Sequence, residues 1–106
     1  MNTHIGYSEE GIASWYGKKF HGKLTSTREV YDMYELTAAH KSLPIPCYVE
    51  VTNLINRKTI IVRVNDRGPF KKGRIIDLSY AAAKKLDIIE KGTAKVHVKA
   101  INVENN

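Results

Sequence analysis

The sequence predicts a small, mainly β barrel of five or six short strands and two short helices, in one domain of 106 residues. Several short segments alternate apolar and polar residues with a period of two, which is typical of strands with one buried face. Only two segments have the composition and the caps of a helix. Many short strands with few helices favour a closed barrel over an open α/β sheet.

The first half of the chain predicts one strand, one long loop and one helix. Residues 11–16 are predicted as the first strand, after a short N-terminal tail. Residues 17–32 are polar and aromatic and contain glycine, which indicates a long loop with a functional role. Residues 35–43 are predicted as a short helix, because Thr37 is a suitable N-cap for the Ala-Ala-His run that follows it and prolines end the segment.

The second half predicts four strands and the second helix. The strands are expected at residues 48–53, 59–64, 74–78 and 94–100. The first two flank a polar turn and therefore form a hairpin. The last has alanine and valine on one face and lysine and histidine on the other. Ser79 is predicted to cap a helix that runs from Tyr80 to Leu86.

Composition limits the possible partners and cofactors. The net charge of +6, from 17 basic and 11 acidic residues, favours nucleic acid, anionic lipid or an acidic polymer of the cell envelope, although a merely soluble basic domain has the same charge. No arginine-rich helix or glycine–aromatic signature is present, so no nucleic-acid partner is expected. No segment approaches the ~20 apolar residues that cross a membrane. Cys47 is the single cysteine, which excludes an intrachain disulfide, and the histidines show no close-spaced ligand pair, so neither a metal nor a cofactor is expected.

One turn carries side chains suited to chemistry. A strand with Ile60, Val62 and Val64 on one face runs into the segment Asn65-Asp66-Arg67-Gly68-Pro69. Asp66 at this turn has two interpretations. It caps the turn, as aspartate often does, or the rigid strand holds it as a reactive acid.

Three groups of segments together resemble the RlpA family, named after rare lipoprotein A. They are Gly11–Gly17 with Phe20–Gly22, Glu29–Met33 with Leu36–His40, and Val62–Phe70 with Gly73–Ser79. The resemblance implies a six-stranded double-psi β-barrel at residues 11–101, with tails at 1–10 and 102–106. It also implies an endolytic peptidoglycan lytic transglycosylase, which cleaves between N-acetylmuramic acid and N-acetylglucosamine and leaves 1,6-anhydro ends.

The resemblance assigns the site residues. Asp66 matches the family's catalytic acid, and Glu29 and His40 match positions that line its active site. The candidates for substrate binding are Asp32, Tyr31, Tyr16, Trp15, Phe20 and Asn65. Aromatic rings suit the apolar face of a sugar, but core packing is the stronger interpretation for Trp15. His40 is also a candidate for a buried histidine with satisfied hydrogen bonds.

The chemistry of glycan cleavage constrains the turn further. Breaking a glycosidic bond needs a proton delivered to the leaving oxygen. One carboxyl group suffices for lytic cleavage, acting as acid and then as base, whereas a hydrolase normally adds a second carboxylate. Arg67 would oppose the retention of a proton on Asp66. We therefore expect its side chain to point elsewhere, to Asp77 or to a backbone carbonyl; Asp77 itself is expected to accept hydrogen bonds at a strand-to-helix turn.

Two alternative functions remain, and one residue departs from the family pattern. The alternatives are a non-catalytic, expansin-like glycan-binding module and an endoglucanase-type hydrolase. Relatives commonly have glycine where this chain has Arg28, so the Glu29 loop is expected to differ in shape from theirs. The resemblance implies a monomer in the periplasm or at the outer membrane, with membrane contact only through a lipid anchor that is not in this chain. It also implies a preference for glycan strands that lack stem peptides.

Overall fold

Six strands and one short α-helix form the described part of the chain, residues 6–101, in the computed structural model. The strands are β1 (Ser8–Trp15), β2 (Thr37–His40), β3 (Cys47–Asn53), β4 (Thr59–Asp66), β5 (Arg74–Leu78) and β6 (Thr93–Ile101). The helix α1 spans Tyr80–Lys85, and a 3₁₀ turn covers Lys18–Phe20. The strands close into a barrel in the order β1-β5-β2-β4-β3-β6. The prediction of a small, closed β barrel is therefore confirmed.

Most of the predicted elements are present with small changes at their ends. β3 and β4 pair as the predicted antiparallel hairpin, and β5 and β6 lie where the alternation placed them. Ser79 caps α1 as predicted, since its hydroxyl accepts a hydrogen bond from the Ala82 N–H at 3.2 Å. No helix within residues 6–101 is long and apolar enough to cross a membrane.

The first strand begins earlier than predicted. β1 starts at Ser8 rather than at Gly11, because residues 8–10 already pair with β6. The rest of the predicted N-terminal tail, at residues 1–5, and the predicted C-terminal tail, at residues 102–106, lie outside the described residues.

The predicted helix at residues 35–43 is wrong, because its centre forms strand β2 (Thr37–His40). β2 lies between β4, to which it is parallel, and β5, to which it is antiparallel. All four of its residues are buried. The alanines favour a helix locally, but pairing with a strand on each side and burial on both faces outweigh that weak preference.

The core fills the inside of the barrel with branched apolar side chains. The fully buried members are Val49, Val51, Val62, Val64, Ile76, Leu78, Val96 and Val98. They come from β3, β4, β5 and β6, at alternating positions that point inward. Since the barrel interior is filled by side chains, a ligand site must lie on its outer surface, where strand ends and loops meet.

Candidate active site

Two carboxyl groups lie on either side of strand β2. Ala39 of β2 is paired with Asp66 of β4 on one side and with Asp77 of β5 on the other. The pairing of β2 with β4 is irregular between Ala38 and Ala39, and irregularities of this kind often re-aim side chains near functional sites. Ala39, Asp66 and Asp77 all line the same cavity.

The cleft that contains this pair has an inner and an outer part. The inner part is a cavity of about 280 Å³ that includes both carboxyl groups. The outer part is an open depression of about 530 Å³ that includes Asp77 but not Asp66. Both parts are lined by Tyr16, Phe20 and Phe70, and the last two are 45% and 83% exposed. Exposed aromatic faces next to a half-buried acid suit a sugar polymer.

Asp66 is fixed by hydrogen bonds to one of its two carboxyl oxygens. Its Oδ1 accepts from the Ser26 N–H at 2.9 Å, from the Ser26 hydroxyl at 2.7 Å and from the Arg67 N–H at 2.9 Å. Within the described range, no donor is recorded on Oδ2. The side chain is therefore oriented through Oδ1, and Oδ2 is the oxygen left to exchange a proton with a ligand.

Arg67 points away from Asp66, as the sequence predicted. Its Nη1 donates to the backbone carbonyls of Leu43 at 2.6 Å and His40 at 3.2 Å. The ion pairs found among residues 6–101 do not include one between Arg67 and Asp66. The guanidinium therefore tethers the segment after β2 and leaves the Asp66 carboxyl group free of a direct salt bridge.

Tyr16 lines the cavity together with the two carboxyl groups. Burial, followed by the nearby charge of Asp66 and a smaller contribution from Asp77, raises the pKa of Tyr16 far above its ordinary value. The hydroxyl is buried, and its interaction with the side chain of Thr37 has a smaller, opposite effect on the pKa. Its ring packs against Tyr31 at 4.7 Å between centroids, and the Tyr31 hydroxyl donates to the Tyr16 carbonyl at 2.9 Å. Tyr16 thus stays a protonated donor in the wall of the cleft.

Glu29 lies beside the cleft rather than in it. Its Oε1 accepts from Arg63 Nη1 at 2.5 Å and from Asn65 Nδ2 at 3.0 Å. The Arg63 hydrogen bond, with the Asn65 bond second, lowers the pKa of Glu29 from 4.5 to about 2. Glu29 is therefore an ionised tether between its loop and β4, next to Asp66, and does not line the Asp66 cavity.

His40 is also a neighbour of the cleft and not part of its lining. Its Nδ1 accepts from the N–H groups of Ser42 at 3.1 Å and Leu43 at 3.2 Å, which leaves the ring proton on Nε2. Nε2 lies 2.8 Å from the Tyr7 hydroxyl and donates to it. Burial lowers the pKa of His40, so the ring is neutral. The contact of His40 with the residues of the cleft is therefore made by its backbone carbonyl, which accepts a hydrogen bond from Arg67.

The remaining candidates for substrate binding divide into two groups. Phe20 and Tyr31 line the inner cavity, and Trp15 lines the outer depression while its ring packs 5.8 Å from that of Tyr80. Asp32 caps its own loop by accepting from the Tyr34 N–H at 2.9 Å, and neither part of the cleft includes it. Asn65 is buried and holds Glu29, so its contact with a ligand would be indirect.

Sequence reasoning missed several residues of the cleft. Asp77 was expected to be structural at a turn, but it lines both parts of the cleft. Phe70 and the cations Lys19, Lys71 and Arg74 were also not selected, and they line the outer depression. The alternation of β5, in which Ile76 and Leu78 are buried, does indicate that Asp77 faces outward. No local pattern indicates that β5 pairs with β2, which brings Asp77 into the cleft.

Replacing Arg28 with glycine is expected to stabilise the domain. Arg28 has a backbone φ of +69°, in the left-handed region that favours glycine, and it is exposed. Relief of this strain is worth about 1 kcal/mol in the free energy of unfolding, measured by urea denaturation. Arg28→Ala keeps the strain and serves as the control. A gain of the same size in both variants would show that strain at φ is not the cause.

The Glu29 ion pair is expected to make stability fall in acid. Since its folded-state pKa is depressed from 4.5 to about 2, the pair contributes fully above pH 4.5. That contribution is lost as the pH falls towards 2. Denaturation curves over this range should show a shallower loss for Glu29→Gln than for the wild type, while the exposed Glu90→Gln variant should follow the wild type. Parallel curves for Glu29→Gln and the wild type would contradict the assignment.

Fold and cleft together define a double-psi β-barrel protein with a pair of acids in a groove that suits a sugar polymer. Residues 8–98 match the protein family described as lytic transglycolase, and the chain belongs to that family. It is 65% identical over 93% of its length to the endolytic peptidoglycan transglycosylase RlpA of Vibrio cholerae, and 61% identical over 96% to that of Pseudomonas aeruginosa. The chain spans only 38% and 30% of those two relatives.

A solved structure supports the same fold. The Streptomyces papain inhibitor superposes with a TM-score of 0.73 at 25% identity, covering 92% of this chain and 97% of its own. With the family match, this confirms the double-psi barrel that the sequence resemblance implied. It also confirms the resemblance to the RlpA family.

Proposed function

We propose that this domain is a peptidoglycan lytic transglycosylase that uses Asp66 as its acid and base. The observation that carries the proposal is the placement of Asp66: half-buried in an aromatic cleft, oriented through Oδ1, with Arg67 bound elsewhere. The family match and the names of the two relatives support the same reaction.

The reaction uses one proton that leaves Asp66 and returns to it. The bond between C1 of N-acetylmuramic acid and the oxygen on C4 of N-acetylglucosamine breaks as Asp66 protonates that oxygen. The C6 hydroxyl of the muramyl residue then bonds to C1, and its proton passes to the Asp66 carboxylate. The products are a 1,6-anhydro end and a new free C4 hydroxyl, and no water is consumed.

Glu29 and His40 assist this reaction as positioning residues. Glu29 binds Asn65, the residue before Asp66, and so fixes the end of β4. The His40 carbonyl binds Arg67 and keeps its positive charge off the acid. Both contacts act on a neighbour of Asp66 in the chain, which supports an indirect role for these two residues outside the cleft.

The cations of the outer depression suit an anionic glycan. The depression is lined by Lys19, Lys71 and Arg74. None of these three side chains takes part in an ion pair within residues 6–101. A muramyl residue without a stem peptide has a free lactyl carboxylate that such cations would attract. We therefore propose strands that lack stem peptides as the preferred substrate. We also propose that the domain acts as a monomer in the periplasm or at the outer membrane, with any membrane contact made by a lipid anchor outside this chain.

Analysis of digestion products separates this function from its alternatives. Purified glycan strands are incubated with the domain, and the fragment ends are identified by mass spectrometry. Anhydro-muramyl ends are expected. Reducing ends would indicate the endoglucanase-type hydrolase, which the second carboxyl group at Asp77 favours. Strands that bind but remain uncut would indicate the expansin-like binding module.

A further inference from the structure

We propose that Asp77 is a second catalytic carboxylate of this cleft, which stabilises positive charge on the sugar ring while Asp66 exchanges the proton. The inference rests on the proposed function and deepens it. Asp77 lies where the inner and outer parts of the cleft join, since it lines both, whereas Asp66 lines only the inner part. A sugar at the junction would lie against both carboxyl groups.

Strand geometry sets the spacing of the pair. Asp66 and Asp77 flank the same residue, Ala39, and are thus two strand positions apart. Adjacent strands are about 4.8 Å apart, so the two Cα atoms lie on the order of 10 Å apart. Side chains rising from such positions are able to face one sugar ring from two sides, as the paired carboxyl groups of glycosidases do at about 5–9.5 Å.

The Asp77 carboxyl group is oriented by a hydrogen bond from Ser14. The hydroxyl of Ser14, a buried residue on β1, donates to Asp77 Oδ1. Among residues 6–101, no protein donor contacts Asp77 Oδ2, which leaves that oxygen for a ligand. Ser14 and Asp77 are paired across β1 and β5, so two strands of the rigid barrel fix the carboxylate.

Tyr16 lies in the wall of the cavity that contains both acids. Tyr16 lines the same cavity as Asp66 and Asp77, and the charges of both carboxyl groups help to raise its pKa. The same hydroxyl is buried and interacts with the side chain of Thr37 in the wall of the cleft. The two carboxyl groups and the Tyr16 side chain line a single cavity, so one ligand would contact all three.

The proposed role leaves the proton balance of the reaction unchanged. As the C1–oxygen bond breaks and Asp66 gives up its proton, positive charge develops on C1 and the ring oxygen of the muramyl residue. The negative charge of Asp77, fixed by the rigid barrel, stabilises this developing positive charge. When the C6 oxygen closes on C1, its proton goes to Asp66, and Asp77 is neither protonated nor bonded.

Matched variants test the role of Asp77 against a merely structural one. Asp77→Asn is isosteric and is expected to lower kcat about 100-fold or more while KM changes by less than about 3-fold. Ser14→Ala removes the hydrogen bond but keeps the carboxylate, and is expected to lower kcat by less than about 10-fold. Asp87→Asn, on an exposed aspartate outside both parts of the cleft, should match the wild type.

Each outcome of this experiment has a distinct meaning. Asp77→Asn with wild-type kcat would overturn the inference. Equal losses in Asp77→Asn and Ser14→Ala, together with equal falls in Tm, would also overturn it by showing a structural role. If the wild type releases reducing ends and Asp77→Asn does not, the lytic reaction is overturned and Asp77 is retained as a catalytic carboxylate. A wild type that releases no fragments overturns both.

Discussion

Replacing Asp66 with asparagine is expected to lower the rate of glycan cleavage by about 10²–10⁴-fold, the usual contribution of a general acid. Asparagine keeps the size of the side chain and an oxygen for the Ser26 donors, so the loop should stay in place. It lacks the exchangeable carboxyl proton that the leaving oxygen needs. The measurement is the initial rate of fragment release from glycan strands, with strand binding followed separately.

The matched control for this variant is Ser26→Ala. It removes the hydroxyl donor to Asp66 Oδ1 but keeps the Ser26 N–H donor and the carboxyl group. A loss of less than about 10-fold is expected, in keeping with one hydrogen bond of about 1 kcal/mol. Undiminished cleavage by Asp66→Asn would remove Asp66 from its role as the acid.

Replacing Arg67 with methionine is expected to lower the free energy of unfolding by about 2–4 kcal/mol. Methionine keeps the length of the side chain but leaves the carbonyls of His40 and Leu43 without their guanidinium partner. Each unpaired, partly buried carbonyl costs about 1–3 kcal/mol. Urea denaturation measures the change, and a smaller loss of activity in the surviving folded fraction is expected, because the acid itself is retained.

Lys71→Met is the control for Arg67→Met. Lys71 is exposed and lies four residues further along the chain, so its change should stay within about 0.5 kcal/mol. If Arg67→Met were as stable as Lys71→Met, the two carbonyl contacts would not hold the segment after β2. These contacts would then not be what keeps the Arg67 guanidinium away from the Asp66 carboxyl group.

The parts of the fold that were predicted correctly are those encoded locally. The alternation of β3, β4 and β6 reports burial on one face of each strand, and Ser79 marks the start of α1 through its own hydroxyl. β2 could not be predicted in this way. Its Thr-Ala-Ala-His sequence resembles a helix start, and its strand conformation comes from β4 and β5 on either side.

The same distinction holds for the site. The strand that runs directly into its turn made Asp66 a candidate with two interpretations, and the family resemblance selected the acid. The direction of Arg67 followed from the needs of an acid next to it. The position of Asp77 in the cleft depends on the pairing of β5 with β2, which no local pattern records. Glu29 and His40 were selected through the family resemblance. Their contacts are with Asn65 and Arg67, the two chain neighbours of Asp66, and not with Asp66 itself.

Digestion of glycan strands in water labelled with heavy oxygen tests the central claim most directly. In lytic cleavage the muramyl C6 oxygen replaces water, so the wild type should release anhydro-muramyl ends without the label, and Asp66→Asn should release almost none. Labelled reducing ends from the wild type, or unlabelled anhydro ends from Asp66→Asn at the wild-type rate, would contradict the claim.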